Sequence, residues 1–186
     1  DQAGSFLFEF IHGGERLGRY SFLGVEPLKW FRILNGQAQL SGDASFSAPE
    51  ALEMEPVAAL RHFVELAKAE TDEPGLPPMA SGAFGYIGYD MIQYVEPVEI
   101  TARDDLKVAE TLLVIPGVVI VFDHLYQELI LVASVRTSSD GADAETKAVE
   151  ALDEVEAALD GPGSPTPRGQ SERVLEFKSN FSEETY

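Results

Sequence analysis

The sequence predicts an α+β fold in which antiparallel β-hairpins dominate. Three pairs of apolar, strand-like runs are each joined by a short turn, and two further segments carry apolar residues at the spacing of an amphipathic helix. Strands joined by short turns pair antiparallel, so these hairpins indicate a largely antiparallel sheet. A chain of 186 residues with 45% hydrophobic residues is long enough to bury a sizeable core.

The first hairpin spans residues 5–24. Residues 5–11 (SFLFEFI) are almost continuously apolar, the pattern of a strand buried on both faces, and residues 18–24 (GRYSFLG) return as a second strand. The dipeptide Gly13-Gly14 supplies a turn that tolerates positive φ. This stretch combines strand-forming residues with an unusual density of polar groups.

Glu9 interrupts the first strand of this hairpin. A carboxylate among apolar neighbours is costly to bury unless it meets a cation or a hydrogen-bond donor. Arg16 and Arg19 lie within reach along the chain. The residues alone leave two alternatives open, a structural ion pair at the sheet edge and a ligand site, and the ion pair is the simpler one.

The next elements are a hairpin and a helix. Asn35-Gly36, between strand-like residues 27–34 and 37–40, is a strong turn signal, and we expect Trp30 to lie in the core. Pro56 then begins a helix, at a position where its missing N–H is harmless. The predicted apolar face of this helix consists of Val57, Leu60, Val64 and Ala67.

Residues 80–96 contain glycines at a spacing of three, Gly82, Gly85 and Gly88, with aromatic residues between them. This differs from the Gly-x-Gly-x-x-Gly order of a dinucleotide site, so we predict a buried strand whose glycines permit close approach of a neighbour. We expect Asp90 to be the N-cap of a short helix that Pro97 closes.

Residues 112–122 are apolar and β-branched throughout, which predicts a central strand with a bulge or break at Pro116-Gly117. Residues 123–127 form the turn, and residues 128–135 return as the next strand. Asp123 and His124 could suggest catalysis, but with no nucleophile nearby in the sequence, turn formation is the simpler explanation.

The last third of the chain predicts a helix, a linker and the start of another domain. Residues 142–159 form a helix with an acidic outer face, and residues 161–171 are a linker rich in Pro and Gly. Residues 174–177 form a further strand. Ser182 and two following acids signal a helix that never follows, and Asp1 replaces an initiator Met, so we expect a fragment of a longer protein.

Composition excludes several classes of function. Thirteen basic and 32 acidic residues give a net charge of −19, which argues against binding nucleic acid or an anionic membrane. No apolar run approaches the roughly 20 residues of a membrane span, and no signal-peptide pattern opens the chain, so we expect a cytoplasmic protein. The chain has no cysteine, and we find no metal-ligand cluster and no nucleophile paired with a base.

Four stretches resemble one enzyme family. The order Leu-Phe-Glu at residues 7–9, the loop Gly-Gly-Glu-Arg and the run Gly-Arg-Tyr-Ser-Phe-Leu-Gly at residues 18–24 resemble the opening of the large subunit of anthranilate synthase, component I, a chorismate-utilising enzyme. Residues 85–90 (GYIGYD) resemble the Gly-Tyr-Phe-Gly-Tyr-Asp signature of that family. Phe-Asp-His at residues 122–124 is a further match, and residues 177–186 look like the first residues of its catalytic half.

The resemblance implies a specific architecture and a regulatory site. The fold would consist of two packed, largely antiparallel β-sheets with flanking helices. Residues 1–160 would form the N-terminal regulatory, tryptophan-binding domain, residues 161–171 the linker, and residues 172–186 the truncated start of the chorismate-binding catalytic domain. The residues matching the tryptophan-inhibitor pocket are Leu7, Glu9, Phe10, Tyr20 and Ser21.

Phe10 departs from the family pattern. The family has Ser after this Glu, and Phe removes a hydrogen-bonding group and adds a ring where ligand would lie. The resemblance together with this difference leads to the hypothesis that feedback inhibition by tryptophan is weakened.

The resemblance also implies a reaction and its partners. Full-length relatives convert chorismate and glutamine or ammonia to anthranilate and pyruvate in tryptophan biosynthesis, a carbon-oxygen lyase reaction. They use Mg²⁺ and a glutamine amidotransferase subunit (component II). We expect no catalytic residue and no metal ligand in this chain, because they belong to the other half. Two alternatives remain, the large subunit of aminodeoxychorismate synthase and a non-catalytic amino-acid-binding module, and the latter is favoured if the gene stops after Tyr186.

Overall fold

The computed structural model describes residues 4–12, 16–68, 75–135 and 141–162, with side chains omitted at residues 11, 12, 16, 17, 141 and 142. The predicted turn at Gly13-Gly14, most of the predicted linker and the elements predicted after it lie outside the described residues. No helix in the described part of the chain is long and apolar enough to cross a membrane.

Hydrogen bonds join seven strands of the described residues into one sheet, and two α-helices and a 3₁₀ helix flank it. The strand order is β4-β3-β2-β6-β5, with β1 also paired to β2 and β7 to β6. The elements are β1 Phe6–His12, β2 Arg16–Leu34, β3 Gln37–Ser41, β4 Glu50–Leu52, α1 Pro56–Ala67, β5 Phe84–Ile87, the 3₁₀ helix Tyr89–Tyr94, β6 Thr111–Asp123, β7 Glu128–Ala133 and α2 Gly141–Asp160.

The antiparallel class of the fold is confirmed, but the two packed sheets are not. Every pair of neighbouring strands is antiparallel. The sheet is continuous because β2 has 19 residues and takes part in both of the first two predicted hairpins. β2 and β6 pair over most of their length, so β6 is central, as predicted.

The predicted irregularity near Pro116 exists, but the extra residue lies on the partner strand. Pro27 pairs with Pro116 and Lys29 pairs with Ile115, so Leu28 is the additional residue of β2. Pro116 has no N–H to contribute to the ladder, which makes this a natural place for the register to shift.

Most of the buried apolar residues form two clusters, on opposite faces of the sheet. Trp30 belongs to one cluster and Phe31 to the other, because neighbouring residues of a strand point to opposite faces. Helix α1 covers the Phe31 cluster, and its Phe63 ring stacks on Phe31 with ring centroids 4.9 Å apart. Helix α2 packs against β7 and β6.

The predicted apolar face of α1 is confirmed at Ala67, but the face that is buried is rotated by about one residue from the predicted one. The buried residues are Pro56, Ala59, Phe63 and Ala67, whereas Val64 is 40% exposed. Val57 and Leu60 lie half-buried at the border of the core. Burying the large Phe63 ring determines the rotation of the helix.

The predicted strand around Gly85 is confirmed, but the prediction that it is buried is wrong. β5 is an edge strand in which only Phe84 is buried. The predicted close approach at Gly85 is confirmed, because a Cβ there would lie 2.1 Å from the carbonyl oxygen of Leu112. Gly88, not Asp90, occupies the N-cap position of the 3₁₀ helix.

Candidate ligand site on the first hairpin

The β1–β2 register separates the five predicted pocket residues into two groups. Glu9 is opposite Ser21 and Leu7 is opposite Leu23, so these four side chains share one face. The rings of Phe10 and Tyr20 instead contact Phe22, at centroid distances of 6.5 and 6.1 Å. Phe22 belongs to the core cluster of the other face.

The residues on the Glu9 face differ in accessibility. Leu7 is 54% exposed and Glu9 is also exposed, whereas Ser21 is only 3% exposed. On the other face, Phe10 is 51% exposed and Tyr20 is half-buried. The structure therefore brings Leu7, Glu9 and Ser21 together, and it does not bring Phe10 and Tyr20 to the same side.

Arg19, one of the expected partners of Glu9, binds a different acid. Its guanidinium donates from Nη2 to Asp123 Oδ2 at 2.9 Å and from Nε to the same oxygen at 3.2 Å. It also lies over the rings of Tyr20 and Tyr126, at 4.7 and 5.1 Å from their centroids. None of the ion pairs among the described side chains involves Glu9.

Asp123 organises the turn between β6 and β7. Its side chain is only 4% exposed, and Oδ1 accepts the backbone N–H groups of Leu125 and Tyr126 at 2.9 and 3.2 Å. The hydrogen bonds from Arg19, and then those from the two backbone N–H groups, lower the pKa of the Asp123 carboxyl below its ordinary value. This confirms that the Asp-His pair is explained by turn formation.

His124 connects this turn to the hairpin. Its backbone N–H donates to the Arg19 carbonyl oxygen at 2.8 Å, and its Nε2 lies 2.8 Å from Ser21 Oγ. A hydroxyl therefore does lie beside the imidazole, contrary to the sequence-based expectation that no nucleophile was near. The hydrogen bonds of Asp123 go to Arg19 and to the turn, not to the imidazole, and Ser21 is buried. This arrangement is not a catalytic triad.

The Glu9 face can supply a carboxylate beside apolar side chains. Such a combination suits the ammonium group and the apolar side chain of an amino acid. Neither Glu9 nor Ser21 lines either of two cavities found among the described residues, and one of these, the apolar hollow of about 160 Å³ beside β1, is lined by Phe6 and Phe8 of the opposite face. No group of three or more His, Asp or Glu side chains in the described part of the chain could hold a metal ion.

Sequence reasoning missed the roles of Leu23, Asp123 and His124 in this site. The alternation of a strand places Leu23 beside Leu7, so this signal was available in the sequence. The contacts of Asp123 and His124 join residues more than 100 positions apart, and no local pattern encodes them.

Comparisons with known proteins give a consistent result. The family model described as chorismate binding enzyme matches residues 18–186. Anthranilate synthase component 1 of Cereibacter sphaeroides is 34% identical in an alignment of 188 positions, which covers 98% of this chain and 37% of that protein. The same component of Thermus thermophilus is 34% identical over 98% of this chain and 36% of its own length, and that of Saccharomyces cerevisiae is 27% identical over 100% and 35%.

A solved structure has the same fold. The crystal structure of anthranilate synthase component I from Streptococcus pneumoniae matches with a TM-score of 0.60 and 20% sequence identity, over 83% of this chain and 34% of that chain. The chain thus spans little more than a third of the length of the relatives that it matches.

Proposed function

Because the chain belongs to the family of chorismate binding enzymes, we propose that it is the N-terminal part of an anthranilate synthase component I. The full-length protein converts chorismate and glutamine or ammonia to anthranilate and pyruvate. The observation that carries this proposal is the 34% identity, over 98% of the chain, to a protein named anthranilate synthase component 1.

The second motif of the resemblance has a structural explanation that supports the assignment. Gly85 and Gly88 lie against the backbone of the chain entering β6, where a Cβ would come within 2.1 Å of Leu112 O and 2.9 Å of Glu110 O. The Gly88 N–H also donates to Glu110 O at 2.7 Å. These glycines are needed for close approach of two chain segments, so the motif serves the fold.

The proposed reaction depends on groups outside the described residues. The relatives are named component 1, which points to a multi-component enzyme, and we assign the partner role to a glutamine amidotransferase subunit. We assign Mg²⁺ and the residues that act on chorismate to the remaining part of the polypeptide, as the resemblance to the family implies.

Genetic complementation with the full-length gene tests this proposal. One bacterial strain lacks anthranilate synthase component I and needs tryptophan, and a second lacks the large subunit of aminodeoxychorismate synthase and needs para-aminobenzoate. We expect growth of the first strain only. Rescue of the second strain alone would favour the aminodeoxychorismate enzyme, and a gene that stops after Tyr186 and rescues neither would favour an amino-acid-binding module.

We also propose that the first hairpin carries the feedback site for L-tryptophan. Glu9 accepts the ammonium group, and Leu7 and Leu23 contact the apolar side chain of the ligand. Glu9 and Leu7 are exposed, so in this proposal the remaining part of the protein covers the bound amino acid. Supporting features are the exposure of Glu9 and Leu7 and their position opposite Ser21 and Leu23.

Phe10 weakens this feedback indirectly in our proposal, because its ring packs edge-on against Phe22 on the opposite face, at the place where the β1–β2 register shifts next to Glu9. Tryptophan titration of the full-length enzyme beside its Phe10→Ser variant tests the idea, with Val64→Ser on the exposed side of α1 as control. We expect Phe10→Ser to lower the half-inhibitory concentration by roughly tenfold, which corresponds to about 1.4 kcal/mol in the free energy of tryptophan binding. Strong and equal inhibition by tryptophan of the wild-type enzyme and of both variants would contradict this proposal.

A further inference from the structure

Ser21 places a buried hydroxyl group in the candidate ligand site. It lies opposite Glu9 in the β1–β2 pair and is only 3% exposed, whereas Glu9 is exposed. Among the described residues, Ser21 Oγ is hydrogen-bonded to the His124 imidazole alone. A hydroxyl group has one proton to donate and two lone pairs that accept, so this single hydrogen bond leaves part of its capacity unused.

His124 is exposed but is held at two points. Its backbone N–H donates to the Arg19 carbonyl oxygen at 2.8 Å, and its Nε2 lies 2.8 Å from Ser21 Oγ. Asp123, which precedes it, fixes the turn by accepting two backbone N–H groups. The sheet and the turn therefore place the imidazole beside Ser21 without the help of a ligand.

Ser21 lies on the strand between Glu9 and His124. Glu9 belongs to β1 and His124 follows the last residue of β6, and both strands pair with β2. Side chains directly opposite each other in an antiparallel pair have Cβ atoms about 5 Å apart. A ligand group that binds the Glu9 carboxylate on this face therefore comes next to the Ser21 hydroxyl.

The direction of the hydroxyl proton decides what Ser21 can bind. An ammonium group has three N–H donors and needs acceptors in addition to one carboxylate. Ser21 Oγ is such an acceptor only when its own proton points away from the ammonium group. An unprotonated Nε2 of His124 can accept this proton, which leaves the lone pairs of Oγ for the ligand.

We propose that His124 is a positioning residue of the feedback site. Its Nε2 accepts the hydroxyl proton of Ser21, and the Ser21 oxygen then accepts the ligand's ammonium group together with Glu9. The imidazole proton accordingly lies on Nδ1. This inference rests on the proposed feedback site and adds how that site recognises the amino group.

Inhibition of the full-length enzyme by L-tryptophan tests this role, with each variant compared to its own uninhibited rate. We expect His124→Leu, which removes the acceptor, to raise the half-inhibitory concentration about fivefold, the usual contribution of one hydrogen bond. The amide oxygen of His124→Gln reaches about as far as Nε2 and should restore most of the inhibition, whereas the shorter His124→Asn should not. His62→Leu, at an exposed histidine of α1, is the control and should behave as wild type.

A double-mutant cycle separates positioning from direct contact with the ligand. If His124 acts through Ser21, Ser21→Ala weakens inhibition to a similar extent, and adding His124→Leu causes no further change. A further fivefold loss in the double variant would overturn the inference. Equal inhibition of His124→Gln and His124→Asn would also overturn it, and this comparison decides the matter even if His124→Leu does not fold.

Glu9→Gln distinguishes the failure of this inference from the failure of the site on which it rests. Inhibition that is lost in Glu9→Gln but unchanged in His124→Leu would refute the positioning role alone. A wild-type enzyme that tryptophan does not inhibit, or inhibition that Glu9→Gln leaves unchanged, would refute the feedback site and the role of His124 with it.

Discussion

At the scale of single residues, Asp123 determines the conformation of the β6–β7 turn. Its buried carboxylate accepts hydrogen bonds from Arg19 and from two backbone N–H groups of the turn. The same turn places His124 within hydrogen-bond distance of Ser21, which lies opposite Glu9 on the neighbouring strand. A buried acid thus fixes the position of a group in the candidate ligand site.

The lowered pKa of Asp123 predicts a pH-dependent contribution to stability. Because the folded-state pKa lies below the ordinary value of 3.8, the ionised carboxylate stabilises the fold above about pH 4. That contribution is lost as the pH falls from there through the folded-state pKa. We expect Asp123→Asn to lower the Tm by several degrees at pH 7, and the difference from wild type to shrink as the pH falls below 4.

Thermal unfolding followed by circular dichroism at several pH values measures this difference. Asp105→Asn is the control, since Asp105 pairs with Arg103 on the surface, where both side chains are largely exposed. It should leave the Tm nearly unchanged. A difference in Tm between wild type and Asp123→Asn that stays constant down to about pH 2 would contradict the account.

At the scale of elements, the sequence predicted which segments form strands and helices better than which faces they bury. Asn35-Gly36, Pro56 and residues 112–122 all gave the expected elements. Helix α1 was rotated by about one residue, because four apolar residues at helical spacing compete with Phe63 for the core and the larger ring is buried. The apolar residues of α1 alone do not predict which side of the helix is buried, because two adjacent sides carry apolar residues.

The rotation of α1 predicts that truncating Phe63 destabilises the fold much more than truncating its neighbour Val64. Phe63 is fully buried against Phe31, so Phe63→Ala should lower the free energy of unfolding by about 3–5 kcal/mol. Val64 is 40% exposed, and Val64→Ala should cost less than about 1 kcal/mol. Urea unfolding of both variants measures the two changes, and equal losses would show that the helix face is wrongly assigned.

Gly85 gives a second prediction at this scale. It has a φ of +146° and no room for a Cβ beside Leu112 O. Gly85→Ala should therefore lower the free energy of unfolding by at least about 1–3 kcal/mol, the cost of backbone strain alone. Gly42 has open space around its Cβ position, so Gly42→Ala should have little effect by comparison. Urea midpoints of the two variants that shift equally would argue against the observed β5–β6 register.

At the scale of the whole molecule, long-range pairing limited what the sequence could predict. Local patterns predicted antiparallel hairpins, but the pairing of β2 with β6 joins residues about 80 to 100 positions apart and merges the hairpins into one sheet. Tyr86 and Ile87 read as core residues because they are apolar, yet they lie on an exposed edge. Apolar residues in a sequence predict a surface that is buried in the functional protein. They do not predict whether residues of the same chain bury it.

The candidate site shows the same limit. The motif around Glu9 identified the hairpin, and strand alternation was sufficient to separate Phe10 and Tyr20 from Leu7 and Glu9. The contacts of Ser21 with His124 and of Arg19 with Asp123 depend on the completed sheet. In the proposed function, the remaining part of a longer polypeptide covers the exposed side chains of Leu7 and Glu9.

Identification of the product that the purified full-length protein forms from chorismate, ammonium and Mg²⁺ tests the central claim most directly. Liquid chromatography with mass detection separates anthranilate from aminodeoxychorismate, and ¹⁵N-labelled ammonium marks the nitrogen that enters the product. We predict labelled anthranilate and an equal amount of pyruvate. Labelled aminodeoxychorismate without pyruvate, or chorismate left unchanged by a folded protein, would contradict the account.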